Sequence, residues 1–150
     1  MNRQIKFRGK DLETGKWLYG DLLQYNEGGV AIGIHGTFID DGYHFNEYWD
    51  RCPIVDDETV GQFTGLYDRT GKEVYEGDVV FWIAYDMRGR GKGEQGAIIW
   101  DKHTMSWAIM RDKLTSDGRP CIISRPFDKK HLEVVGNIHD NPELMKGGVE

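Results

Sequence analysis

Along most of this chain apolar and polar side chains alternate with a period of two, the pattern of strands with one buried face. Lys6-Phe7-Arg8 alternates, residues 9–16 are polar and turn-like, and residues 17–25 are apolar enough for a second strand. Residues 5–8 and 17–25 are expected to pair as a hairpin. Glu27-Gly28-Gly29 is a turn, after which Val30, Ile32 and Ile34 share one strand face. Residues 40–50 fit neither period and read as a loop lined with aromatic side chains. Cys52-Pro53-Ile54-Val55 reads as a short strand at a sheet edge, because proline cannot donate to a ladder.

In the second half, Asp68-Arg69-Thr70-Gly71-Lys72 is a hairpin turn, with Gly71 free to take a positive φ. Val79-Val80-Phe81-Trp82-Ile83-Ala84-Tyr85 is the strongest strand signal in the chain. A glycine-rich loop, Arg88-Gly89-Arg90-Gly91-Lys92-Gly93, leads to a return strand at Ala97-Ile98-Ile99-Trp100. Residues 101–104 turn into a strand at 106–110, and residues 121–123 and 132–138 complete the set. The one helix signal is C-terminal. Asn141 can cap, Pro142 suits the first helical position and Glu143 suits the positive end of the dipole, predicting a helix from Pro142 to about residue 146.

Two stretches echo each other. Thr14-Gly15-Lys16 precedes Tyr19-Gly20-Asp21-Leu22-Leu23, and Thr70-Gly71-Lys72 precedes Tyr75-Glu76-Gly77-Asp78-Val79-Val80. With one extra residue, Glu76, both spell a turn, an aromatic anchor, a Gly-Asp bend and a buried strand. Duplication and convergence on good hairpin chemistry both explain it. A Gly-Asp pair before an aliphatic strand is also common in SH3-like barrels, where glycine allows the bend and Asp caps the turn. The expected fold is all-β, mainly strand with a short C-terminal helix. It is an antiparallel small barrel with a smaller N-terminal β unit at residues 1–61 and an SH3-like C-terminal unit at residues 62–150, or the two packed as one compact domain over residues 1–150.

Composition narrows the class. The chain has 150 residues, 20 Gly and 12% aromatics, enough for a core without a disulfide or metal staple. Its net charge of −6 favours solubility and counts against a general nucleic-acid coat protein, although not against a local basic patch. Cys52 and Cys121, one in each half, read as reduced core thiols. The N-terminus lacks the apolar run of a signal peptide, and no apolar run approaches the roughly 20 residues of a membrane helix. A cytoplasmic protein without a membrane partner is expected.

Candidate chemistry is sparse. Arg88, Arg90 and Lys92 place three cations on a hairpin tip, and with Trp100 nearby they form the candidate nucleic-acid contact. A solvated, mobile loop is the plainer reading of the same residues. Tyr43, Phe45, Tyr48 and Trp49, with His44 among them, form a candidate interface or inter-unit seam, with a stacking platform for bases or sugars as the other reading. Asp40, Asp41, Asp50, Asp56, Asp57 and Glu58 read as a solvated acidic face, since nothing in their spacing fixes a catalytic pair. His35, His44, His103, His131 and His139 show no metal spacing, and no nucleophile motif surrounds Cys121 and His131. The chain is therefore expected not to be an enzyme and to need no cofactor or metal.

Three strings carry a resemblance. Ile5-Lys6-Phe7-Arg8-Gly9-Lys10 opens the chain. Glu58-Thr59-Val60-Gly61-Gln62-Phe63-Thr64-Gly65-Leu66 and Gly71-Lys72-Glu73-Val74-Tyr75-Glu76-Gly77-Asp78-Val79-Val80 fill its centre. Val134-Val135-Gly136-Asn137-Ile138-His139-Asp140-Asn141-Pro142-Glu143-Leu144 closes it. In that order they resemble the YopX family of phage and prophage proteins over nearly the whole chain. Residues 43–50 and 88–93 are less like the family. The resemblance implies an all-β chain, an oligomer and a mobile-element origin, and it supplies no catalytic residues. Two functions follow as expectations. One is a binding module for nucleic acid or for a host or phage protein. The other is a structural or assembly protein that forms homo-oligomers through sheet edges near residues 52–55 and through the aromatic loop.

Overall fold

The computed structural model describes residues 4–26, 28–34, 52–116, 119–123 and 131–145, and among them the chain forms ten strands. In order these are β1 (Phe7–Asp11), β2 (Trp17–Gln24), β3 (Val30–Gly33), β4 (Ile54–Tyr67), β5 (Glu73–Tyr75), β6 (Asp78–Tyr85), β7 (Gly91–Asp101), β8 (Ser106–Leu114), β9 (Pro120–Ile123) and β10 (Glu133–Asn137). The pairings are antiparallel, as the alternation predicted. The chain divides into two units, Met1–Phe63 and Thr64–Glu150. The division falls inside β4.

In the first unit β1, β2, β3 and β4 are successive neighbours, and β4 pairs with β1 again. The result is a small closed, barrel-like ring. Phe7, Leu18, Leu22, Val30, Ile32, Val55 and Val60 form one apolar cluster, and Leu23, Ala31 and Cys52 with Tyr25 form another. Each fully buried aliphatic side chain contributes about 1.5–3 kcal/mol. The ring is tight where β2 meets β3, since a Cβ on Gly20 would come within 1.9 Å of the Gly33 carbonyl oxygen. A register shift between Arg8 and Lys10 disturbs the β1–β4 ladder. Thr59 repairs it, because its Oγ1 accepts from Lys10 N at 2.8 Å and donates to the Asp56 carbonyl at 2.6 Å.

Two local expectations change here. Residues 52–55 are not a short edge strand. Ile54 and Val55 open β4 and pair with Ala31 and Val30, while Val55 also stands opposite Asp11 of β1. Pro53 lies just ahead of the strand, where its carbonyl accepts from Ile32 N at 3.2 Å. The supposed seam is therefore paired inside the ring. Ile34 lies beyond β3, whose residues are buried on both faces rather than on one.

The second unit holds a five-stranded sheet in the order β10-β6-β7-β8-β9. Val74, Val80, Ile98, Ile109 and Leu132 form its core, with Leu66, Trp82, Trp107 and Val134 packed against it. The C-terminal helix is a single 3-10 turn, Pro142–Met145, anchored where Gln95 Nε2 donates to the Leu144 carbonyl at 2.6 Å. Among the described residues no helix is long and apolar enough to cross a membrane. Cys52 is buried, Cys121 is half-buried, and neither is in a disulfide.

Aspartates organise the turns. In the Asp11 and Asp68 turns the side chain accepts from backbone N–H groups of the turn itself. Gly15 and Gly71 hold the left-handed places, at φ 68° and 88°. The echo between the two halves ends there. Gly20 lies inside β2 and Asp21 is exposed, whereas Gly77 turns at φ 82° between β5 and β6 and Asp78 is buried, accepting from Tyr75 N at 2.8 Å. The extra residue, Glu76, makes room for that second turn.

Candidate functional site

The strongest strand signal of the sequence becomes half of a projecting ribbon. β6 and β7 pair from Val79 opposite Ala97 out to Tyr85 opposite Gly91. β10 accompanies β6 only as far as Phe81, and β8 accompanies β7 only as far as Gly96. Among the described residues, 82–85 and 91–95 therefore have ladder partners only in each other. Gly91, Lys92 and Gly93 belong to β7, so the loop expected at 88–93 is a turn over residues 86–90.

Opposed residues of an antiparallel pair share a face. Phe81, Ile83 and Tyr85 thus stand on one face of the ribbon opposite Gln95, Gly93 and Gly91. They are 37%, 44% and 65% exposed, rising toward the tip, where Met87 is fully exposed. The two glycines are seats for these side chains. A Cβ on Gly93 would come within 2.8 Å of the Phe81 ring, and one on Gly91 within 2.8 Å of Ile83 and 3.2 Å of Tyr85. The apolar side chains lie across the partner strand and form a flat, open stripe.

The other face carries Trp82, Ala84, Lys92 and Glu94. Glu94 is ion-paired with Arg111. Burial works to lower the Arg111 pKa, and the Glu94 carboxylate, joined by Cys121, outweighs it and raises the guanidinium above its ordinary value.

Asp86 builds the tip. Its Oδ1 accepts from Arg88 N and Arg90 N, both at 2.9 Å, and its Oδ2 accepts from Arg90 Nε at 2.7 Å. The Arg90 backbone and side chain, then Arg88 N, hold the Asp86 carboxyl below its usual pKa against a small burial effect. Arg90 is thereby neutralised locally. Among the described residues Arg88 and Lys92 make no ion pair.

Trp100 is elsewhere. It shares a face of β7 with Lys92 but lies eight residues along the strand, roughly 26 Å away. There it meets Trp107 edge to face at 5.2 Å. The sequence grouped Arg88, Arg90, Lys92 and Trp100, and the structure brings together only the first three. Tyr43, Phe45, Tyr48 and Trp49 lie outside the described residues. Among the described residues no group of His, Cys, Asp and Glu side chains could hold a metal ion.

Residues 6–146 match the family described as YopX protein. The chain belongs to the YopX family. No curated protein matches this YopX-family chain. Among solved structures it is similar to protein EF1440 from Enterococcus faecalis, at 23% identity and a TM-score of 0.48, over 96% of this chain and 99% of that one.

Sequence reasoning missed Phe81, Ile83 and Tyr85 as a surface. A continuous apolar run reads as a strand buried on both faces. The available signal was the Gly-x-Gly of Gly91 and Gly93 placed opposite that run. A second feature also escaped notice. Lys6 lies over Tyr19, and both Arg8 and Lys10 lie over Trp17, at 4.6–5.7 Å, which fastens β1 to β2 on one face of the ring.

Proposed function

We propose that this chain is a non-enzymatic binding module, that the β6–β7 ribbon is its working surface, and that the ribbon takes a protein partner. The observation that carries this is the exposed stripe of Phe81, Ile83 and Tyr85 seated over two glycines. Exposed contiguous apolar side chains on a soluble domain mark interaction sites. A flat stripe flanked by cations fits a protein surface better than a phosphate backbone, because Asp86 neutralises one of the three tip cations. The net charge of −6 acts in the same direction. The order β10-β6-β7-β8-β9 supports reading the second unit as an SH3-like barrel, a fold that presents loops and ribbons to partners. Membership of a phage- and prophage-associated family agrees with action in the host cytoplasm on a host or phage protein.

Nucleic acid is the second reading, favoured by Arg88 and Lys92 beside the exposed Tyr85 ring. One experiment separates the two. A photo-crosslinking amino acid is placed at position 85 and, as control, at position 102 in the turn beyond the far end of β7. A discrete protein adduct from position 85 alone is expected. Equal adducts from both positions, or none from either, overturn the protein reading. Titration with labelled DNA and RNA completes the test. Tight binding at physiological salt that disappears in an Arg88→Ala/Arg90→Ala/Lys92→Ala variant transfers the site to nucleic acid.

A further inference from the structure

Besides the ribbon, the described residues hold an exposed apolar place with charge around it. Leu12, in the β1–β2 turn, is 63% exposed and Ile54, at the start of β4, is 43% exposed. They are joined by Leu12 N donating to the Ile54 carbonyl at 3.1 Å. Asp11 and Glu13 flank Leu12, and Asp56, Asp57 and Glu58 follow Ile54, with Lys10 and Lys16 as the neighbouring cations. Glu13, Asp57 and Glu58 are exposed. This is an apolar pair with an acidic rim.

The ribbon is its complement, an apolar stripe with a basic tip. In a chain of net charge −6, two copies meeting through the same acidic surface repel each other. A contact that sets the basic minority surface against the acidic majority surface avoids this and lets both apolar places leave water together. We infer that the occupant of the ribbon is a second copy of this chain, docked with its Leu12–Ile54 patch against Ile83, Tyr85 and Met87 and its acidic rim against Arg88 and Lys92. This rests on the ribbon being the working surface. The two surfaces differ, so the contact is head to tail. Each copy retains one free ribbon or patch unless a ring closes, and an open chain of copies forms otherwise.

The test is the mass of the full chain in solution across a dilution series at low and high salt. Two variants accompany it, Arg88→Glu/Lys92→Glu and Asp57→Lys/Glu58→Lys, each confirmed as folded by a single cooperative melt at a dilution where the chain is monomeric. The wild type is expected above the 17.2 kDa of one copy, with association weakened by salt. Each variant alone is expected to associate about tenfold more weakly or worse. An equal mixture of the two is expected to recover the wild-type mass, because each reversed surface then meets an opposite one. A wild type that is monomeric throughout, a variant that keeps its mass, or a mixture that stays dissociated overturns the inference. A monomeric wild type that still yields the position-85 adduct with another protein overturns only the identity of the partner. The loss of both results removes the ribbon reading as well.

Discussion

Residues 68–72 and 86–90 fold into the same turn. In each, the first Asp N–H donates to the fifth carbonyl, at 2.8 Å for Asp68 and 3.0 Å for Asp86, and the glycine N–H donates back to the Asp carbonyl. In each, Oδ1 accepts from the third and fifth backbone N–H groups, and the glycine sits at a φ of 88° or 74°. The surroundings differ. Asp68 is buried, and its Oδ2 accepts from Val134 N of β10 at 3.0 Å. Arg69 donates its N–H to the Leu132 carbonyl and ion-pairs with Glu133. At the corresponding place in the other turn, Met87 projects into solvent. One turn ties two strands of the second unit together, and the other ends a ribbon with nothing described beside it. The same local chemistry becomes scaffold or surface according to what lies across from it.

The contrast is broken most strongly at the first residue. Asp68→Ala leaves the N–H groups of Thr70, Lys72 and Val134 without their acceptor and is expected to cost about 2–3 kcal/mol. That lowers the melting temperature by about 4–10 °C. Asp86→Ala is expected to shift it by less than about 2 °C, because solvent replaces the lost contacts. A thermal melt of the two variants decides, and equal losses would dissolve the distinction.

Acid gives the next largest effect. Burial works to raise the Asp68 pKa, and the hydrogen bonds from Val134, Thr70 and Lys72 outweigh it and hold the carboxyl below its ordinary value. A group with a depressed folded pKa stabilises fully above its unfolded value of about 3.9, and that contribution is lost as pH falls through the folded value. Wild-type melting temperature is therefore expected to drop below about pH 4. Asp68→Asn should start lower and show a shallower acid slope.

Smaller effects sharpen the likeness. Gly71→Ala and Gly89→Ala meet no neighbouring atom and differ from wild type only in left-handed backbone strain. Each is expected to cost about 1 kcal/mol, and unequal costs would show that the turns differ locally. Arg69→Ser should lose about 0.5 kcal/mol with its exposed ion pair, whereas Met87→Ser, at a dilution where the chain is monomeric, should leave chemical denaturation unchanged.

Much of the fold was legible because alternation, turn residues and glycine placement report directly on strands and hairpins. The β1–β2 hairpin, the Asp68 turn and the β6–β7–β8 meander all follow from such local signals. What escaped depends on contacts distant in sequence. The closed ring needs Val55 to stand between Val30 and Asp11, and no local pattern announces a strand shared by two neighbours. The ribbon escaped because Val79 to Tyr85 is apolar on both faces, and only the far ends of β8 and β10 decide that its outer half is exposed. Glycine misled at Gly91 and Gly93, where it reads as loop freedom yet makes room for aromatic side chains across the ladder. Trp100 misled because nearness in sequence along an extended strand is distance in space.

Backbone hydrogen exchange followed as a function of protein concentration tests the account most directly. The amides of residues 82–85 and 91–95, together with those around Leu12 and Asp57, should gain protection as concentration rises, while the turn at 68–72 stays unchanged. Ribbon exchange that is the same at every concentration, or protection that rises equally at 68–72, would contradict it.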